Sequence, residues 1–133
     1  MTAAFTWHGA EIAGRARRAY GRAIIGIGTA VATEGKRNAH VISGNMRRSI
    51  HAAEHGYAGG NDAGAAAGGD IPNATRPSWS GVDAVIDVGS WMPYSCVEEV
   101  GRGHAFMQPA VESVSGARSY ALMHGAFAEE GLL

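Results

Sequence analysis

Long hydrophobic runs, paired cysteines and an excess of one charge are all missing from this chain of 133 residues. No stretch approaches the roughly 18 consecutive apolar residues of a membrane-spanning helix, so no membrane association is expected. The single cysteine, Cys96, cannot form an internal disulfide and fits a reducing compartment. With 11 basic and 12 acidic residues, the chain lacks the basic surplus of a dedicated nucleic-acid binder.

The chain also has little bulk for its length. Hydrophobic residues make up 46% of it, but many are alanine, and its 20 glycines exceed average use. The length suits one compact domain spanning residues 1–133. A small core makes oligomerisation a source of extra stability. The first residues, Met1–His8, have neither a basic start nor an apolar run, so we expect no signal peptide and a cytoplasmic site of synthesis.

The first segment, from about Trp7 to Ala39, has the pattern of a long helix with Thr6 as a suitable N-cap. Small or apolar residues recur there at intervals of three and four, which traces one helical stripe. Glycines inside the segment weaken a helix by about 1 kcal/mol each relative to alanine, so this helix should depend on packing. The stripe consists of Ala13, Ala16, Tyr20, Ile24, Ile27 and Val31.

Alternation of apolar and polar residues predicts two strands, one beginning near Ile50 and one over residues 82–88. In the second strand Val82, Ala84, Ile86 and Val88 share one face. The intervening residues 58–80 have no periodicity and almost no bulk, so we predict a long flexible loop within the domain.

Two further helices are predicted near the C-terminus. A short one covers Tyr94–Val100, and a longer one starts near Pro109, a favoured first helical position, and ends near Glu130. The predicted fold class is therefore α+β, with a long N-terminal helix, a small antiparallel β-sheet carrying a long Gly-rich loop, a short helix and a C-terminal helix.

One short motif suggests an enzyme. His51, Glu54 and His55 have the His-x-x-Glu-His spacing of inverted zinc-protease motifs. On a helix the two histidines would share a face and could hold zinc, but on a strand they lie about 13 Å apart. Because a strand is predicted here, we expect solvent-facing histidines. A small metal-dependent hydrolase built on these residues stays an alternative, as does a regulatory binding module that acts as a soluble monomer or dimer.

Other catalytic arrangements fit poorly. Glu98 and Glu99 are adjacent, so on a helix they point about 100° apart and form no obvious acid/base pair. Cys96 would need a histidine base, for which His104 is nearest in sequence, and we expect a small buried thiol instead. The chain is therefore expected to be no enzyme and to carry no metal or cofactor.

Four motifs resemble a known family in the same order along the chain. His40–Ile50 contains a sequence similar to Thr/Ser-Gly-x-Leu-Arg-x-Ser-Ile, and Val85–Ser90 is similar to a Val-x-Val-Gly strand. Pro93–Gly101 resembles Tyr-Ala-x-x-Val-Glu-x-Gly-Thr, and His104–Glu112 resembles Arg-Pro-Phe-Leu-x-Pro-Ala-Leu-Glu. These motifs are typical of the head–tail joining proteins of long-tailed double-stranded DNA phages. That family is also called tail-completion, neck or minor tail proteins, with phage lambda protein Z as a distant example.

The resemblance implies a non-enzymatic virion protein, assembled in the cytoplasm of a bacterial host. Such a protein forms a ring, of six subunits in the family, between the head connector or stopper and the tail terminator or tail tube. Genomic DNA passes through the lumen without sequence-specific binding. The chain departs from the family pattern where His104 and Ala105 replace Arg-Pro and where Arg102 and Gly103 replace Thr and the basic stretch after it.

A closed ring needs complementary surfaces on each subunit. One hypothesis is that Arg47 or Arg48 pairs across a subunit boundary with Glu98 or Glu99, and the alternative is that these charges are solvated on the surface. Ser43 is expected to cap a helical turn. The residues proposed for the subunit interface are Arg47, Arg48, Trp91, Met92, Tyr94, Glu98 and Glu99. Those expected to have an architectural or core role are Ser43, Gly44, Met46, Ile50, Val88, Gly89, Phe106 and Pro109.

Overall fold

The predicted α+β class is confirmed by a computed structural model, which describes residues 3–41, 44–60, 62–95, 97–101 and 103–133, with the backbone alone for Val97. None of the helices in those ranges has a continuous apolar stretch of the length that a lipid bilayer requires. In chain order the elements are α1 (Gly9–Asn38), α2 (Asn45–Ser49), β1 (His51–Glu54), α3 (Asp62–Ala66), β2 (Ser78–Ser80), β3 (Asp83–Gly89), a π-helical turn (Val97–Gly101), α4 (Met107–Val114) and α5 (Ala117–Glu129).

Helix α1 is about 45 Å long and carries a groove of glycines along one face. Gly21, Gly28 and Gly35 are spaced by seven residues, close to two helical turns. A methyl group on any of them would lie between 2.9 and 3.1 Å from a neighbouring side chain. The glycines therefore let other elements approach α1 more closely than alanine would. The side chains in this groove are, in order, those of Trp79, Ile86 and Met107.

The buried face of α1 is made of smaller residues than the predicted stripe. Val31 is buried, but Ala13 is exposed. Ala19 and Ala23 are buried instead, and they pack against Ala126 of α5. The prediction gave weight to large apolar residues, whereas close packing here selects small ones.

Strand β3 lies at the centre of the sheet, with β1 and β2 antiparallel on either side. Ala84 is buried, Ile86 fits the groove of α1, and Val88 packs against two core clusters. Val82, expected on the same face, precedes the strand and is 84% exposed. The sheet therefore covers α1 with one face of β3.

The main core cluster joins three distant parts of the chain. Met46 and Ile50 pack with Phe106 and with Ala32 and Ala39 of the first helix and its end. Phe106 and Ile50 are 2% and 0% exposed. This cluster fixes how the end of α1, helix α2 and the start of α4 lie against one another.

The sequence predicted one long irregular loop over residues 58–80, and this prediction is wrong. The segment contains α3 and β2, and it buries Ala65 and Ile71. The N–H of Ile71 donates to the carbonyl of Arg48 (3.1 Å), and Nε of Arg48 donates to the carbonyl of Ala65 (3.1 Å). These bonds attach the segment to α2, while its flexibility stays a prediction.

Replacing Arg48 with methionine should loosen this attachment. The substitution keeps the apolar stem and removes the bond to Ala65, which contributes about 1 kcal/mol. We expect elastase, which cuts after small residues, to cleave between residues 58 and 70 about fivefold faster. Arg47→Met is the matched control, because Arg47 is exposed on the same helix. Equal cleavage of both variants would contradict the attachment.

Three predicted helix boundaries are wrong. α1 begins at Gly9, so Thr6 is no N-cap. The short helix near Tyr94–Val100 is a π-helical turn over Val97–Gly101. The C-terminal helix is two helices, because Ser115 is extended and Gly116 has a φ of +78° that other residues rarely adopt.

Candidate functional site

Three side chains that can bind metal meet beside the start of α4: those of His40, Glu98 and His104. Nδ1 of His104 donates to Oε2 of Glu98 at 2.8 Å, and Nδ1 of His40 lies 3.6 Å from the same oxygen. One donor atom from each residue falls within 4.8 Å of the other two. The imidazole rings face each other, with centroids 4.1 Å apart and a tilt of 42°.

Three separate pieces of backbone position this cluster. His40 follows the end of α1, Glu98 belongs to the π-helical turn, and His104 lies in the irregular segment before α4. The N–H of His104 donates to the carbonyl of Glu98 at 3.2 Å. The side-chain amide of Asn38 donates to the carbonyl of Phe106 at 3.4 Å, which ties the end of α1 to the start of α4.

The Glu98 carboxylate is buried, with 6% of its side chain exposed, whereas the histidine side chains are 43% and 40% exposed. A buried carboxylate needs bonded donors or a cation, because it has lost its water. Two imidazoles and one carboxylate are also the donors that divalent zinc prefers. The arrangement can therefore hold either a proton-dependent ion pair or a metal ion.

Glu99, the next residue, has a different role. Its carboxylate accepts hydrogen bonds from the backbone N–H groups of Phe106 (2.7 Å), Met107 (3.0 Å) and Gln108 (2.9 Å). These are free donors at the N-terminus of α4, and Pro109 after them has no N–H to satisfy. Burial alone raises the pKa of Glu99, but the three bonds outweigh it and hold that pKa below its usual range.

The predicted interface charges are mostly engaged within the chain. Glu98 and Glu99 make the bonds just described, and Arg48 reaches Ala65 and the side chain of Asn45. Arg47 is exposed. Pairing of Glu98 or Glu99 with a neighbouring subunit would require these internal bonds to break, and the interface itself stays a prediction.

The aromatic residues of the predicted interface lie at the end of the sheet. Trp91 is half-buried and packs against His51 and Tyr57, with ring centroids 4.9 and 4.7 Å away. Met92 is half-buried, and Tyr94 is 43% exposed. Of these three predicted interface residues, Tyr94 therefore has the most solvent-accessible side chain.

The His-x-x-Glu-His segment does not form a metal site in the described chain. His51 is 2% exposed, and its Nδ1 donates to the carbonyl of Ser49 at 2.8 Å, so the prediction of a solvent-facing His51 is wrong. His55 is exposed and pairs with Asp87 at 3.1 Å. The hydrogen bond from His55 is the main cause that lowers the pKa of Asp87, and a hydrogen bond from the backbone N–H of Gly56 lowers it further. Glu54 is exposed and pairs with Arg76.

The remaining predicted positions are scattered through the fold. Gly44 precedes α2 with a φ of +85°, and Gly89 pairs with His51 in the sheet. Pro109 is exposed in the first turn of α4. Ser43 and Cys96, predicted as a cap and as a buried thiol, lie outside the described residues.

The cluster of His40, Glu98 and His104 was not predicted from the sequence. Its first two members are 58 residues apart, and no spacing rule connects positions on elements that only the fold brings together. The one usable signal was the departure at His104 from the resembled motif. Comparisons with known protein families, with curated proteins and with solved structures gave no match.

Proposed function

We propose that this chain is a non-enzymatic structural protein of a phage neck. It forms a ring between the head connector and the tail tube, takes part in joining head to tail, and lets the genomic DNA pass through its lumen. It acts in the virion, after assembly in the bacterial host. Its partners are copies of itself and the neighbouring neck proteins.

The observation that carries the proposal is the mutual contact of the four family-like motifs. Ile50 from the first motif and Val88 from the second pack in the cluster that holds Phe106 from the fourth. Glu99 from the third motif binds the backbone at the start of the fourth. Segments that resemble one family in sequence order are thus joined in one structural unit, which supports a common origin for all four.

Exposed apolar side chains support self-association. Phe5, Trp7 and Val82 are 85%, 78% and 84% exposed. The core is built largely from alanine, so it buries little area for each residue. Covering such side chains between subunits would add the burial that the core lacks. Arg47 offers an exposed positive charge on α2 for contact with a neighbouring subunit.

The test is assembly of the purified full chain, followed by sedimentation velocity and negative-stain imaging. We expect closed rings of one subunit number, and we expect Arg47→Glu to raise the concentration needed for half-assembly at least about tenfold, because reversed charge opposes a complementary surface. Arg76→Glu is the control, since the Arg76 side chain is 82% exposed, pairs with Glu54 of the same chain and is not among the predicted interface residues.

An independent check uses the virion. Antibody labelling of phage particles that contain the protein should decorate the neck. A chain that stays monomeric with its neighbouring neck proteins present, and that is missing from virions, would contradict the proposal. Gene order gives a further check, since a portal and capsid gene upstream and a tail-tube gene downstream are expected.

A further inference from the structure

We propose that His40, Glu98 and His104 form a binding site for a divalent transition-metal ion, with zinc as the best match. The inference does not depend on the neck proposal, because all three donors belong to one chain. It concerns a site that the sequence motif at His51 and His55 does not include.

The donor set is the first argument. Two imidazole nitrogens and one carboxylate oxygen form the three-ligand set of many zinc sites, in which a fourth position stays open to water or to another ligand. Imidazole favours zinc and its neighbours in the transition series over magnesium or calcium, which prefer oxygen ligands. The cluster therefore favours zinc and neighbouring transition-metal ions over magnesium or calcium.

The distances are the second argument. Two donors bound to one tetrahedral zinc ion lie about 3.3 Å apart, given bonds of about 2.0 Å. Here the Glu98 oxygen lies 2.8 Å from Nδ1 of His104 and 3.6 Å from Nδ1 of His40. These values lie on both sides of the required separation, and the donor atoms of all three residues lie within 4.8 Å of one another, so side-chain rotations would have to bring all three separations to about 3.3 Å.

The third argument is the surroundings of the donors. Glu98 supplies a buried negative charge, which a divalent ion compensates more fully than an imidazole N–H does. Both histidines are partly exposed, which leaves a path for the ion to enter. The backbone bond between His104 and Glu98, and the bond from Asn38 to Phe106, hold the three positions before any metal arrives.

A metal ion at this place would link the end of α1 to the segment that starts α4. Because binding to the folded chain alone stabilises it, zinc at a hundredfold excess over its Kd should raise the melting temperature by roughly 10 °C. The ion would stabilise the fold by cross-linking these two segments, and its fourth coordination position would be available to a ligand from outside the chain.

The test uses the full chain without a histidine tag, freed of metal by a chelator and titrated with zinc chloride by calorimetry. Cobalt(II) gives a parallel optical readout, because tetrahedral cobalt has visible absorption bands. We expect one ion per chain. His40→Ala and His104→Gln should each weaken binding at least about tenfold and abolish the rise in melting temperature.

His124→Ala is the matched control, since His124 is exposed on α5, away from the cluster. It should bind zinc as the unchanged chain does. His40→Ala tests the ligand role without disturbing the core, because His40 is a surface residue. Failure of the chain to bind zinc in a saturable way, or equal binding by His40→Ala and His124→Ala, would overturn the proposal.

Discussion

Replacing Phe106 with alanine should lower the free energy of unfolding by about 4 kcal/mol, the largest loss expected for a single side chain here. Phe106 is 2% exposed and packs against Met46 and Ile50. The truncation removes apolar contacts and leaves a cavity where three segments meet, and the surrounding backbone cannot close around it fully. Urea unfolding followed by circular dichroism measures the loss.

Val111→Ala is the control for this prediction. Val111 lies on the same helix, α4, but is 52% exposed, so its truncation should change stability by less than about 1 kcal/mol. If the alanine variant at Phe106 does not fold, Phe106→Leu should still fold with a loss of about 1.5 kcal/mol. Equal stability of Phe106→Ala and Val111→Ala would show that the cluster does not hold the domain together.

Replacing Glu99 with alanine should cost roughly 2–3 kcal/mol of stability, because three backbone N–H groups at the start of α4 lose a charged acceptor. Glu99→Gln keeps one oxygen and should lose about half as much. Glu112→Ala removes an exposed carboxylate from the same helix and should change stability by about 0.5 kcal/mol or less.

The contribution of Glu99 should also depend on pH in a defined direction. Burial raises its pKa, but the three backbone hydrogen bonds lower it by more, so the pKa of Glu99 in the folded protein is below the usual value. Its stabilisation is therefore complete above the ordinary glutamate pKa of about 4.3 and is lost as the pH falls through the lowered value. The stability difference between the unchanged chain and Glu99→Gln should shrink below pH 4, and a difference that stays constant down to pH 2 would contradict this role.

The zinc proposal changes how the hydrolase alternative must be tested. Stoichiometric zinc alone no longer favours a site at His51 and His55, because the cluster at His40 would also supply it. Variants of His40 and of His55 separate the two sites. Loss of zinc in the His55 variant alone would revive the alternative.

The long helix α1 and the strand β3 followed from local sequence, whereas α3, β2 and the contacts between elements did not. Alternation around β3 and the long α1 were visible because each residue's role repeats along one segment. The burial of His51 was missed because it depends on Tyr57 and Trp91, which only the fold brings near. The adjacent acids Glu98 and Glu99 were considered as an acid/base pair and as partners for an arginine of a neighbouring subunit, but each accepts hydrogen bonds from groups of its own chain.

The break between α4 and α5 shows a different limit. Gly116 lay in a run whose small and apolar residues continue a helical pattern, so one helix was predicted. Its positive φ separates α4 from α5, which packs along α1, and Arg118 near the start of α5 reaches the buried carboxylate of Glu34 at 3.1 Å. Such a tertiary constraint leaves no mark on local periodicity.

The glycines at positions 21, 28 and 35 fix the position of α1 along its axis relative to the rest of the domain. A bulky side chain packs against each glycine, and the glycines lie about 10.5 Å apart along the helix axis. Sliding α1 by one turn would bring Ile25 into the place of Gly21 or Gly28, where there is no room for it. The helix therefore has one register in which all three glycines face these side chains, and a shift of one turn would disrupt all three contacts at once.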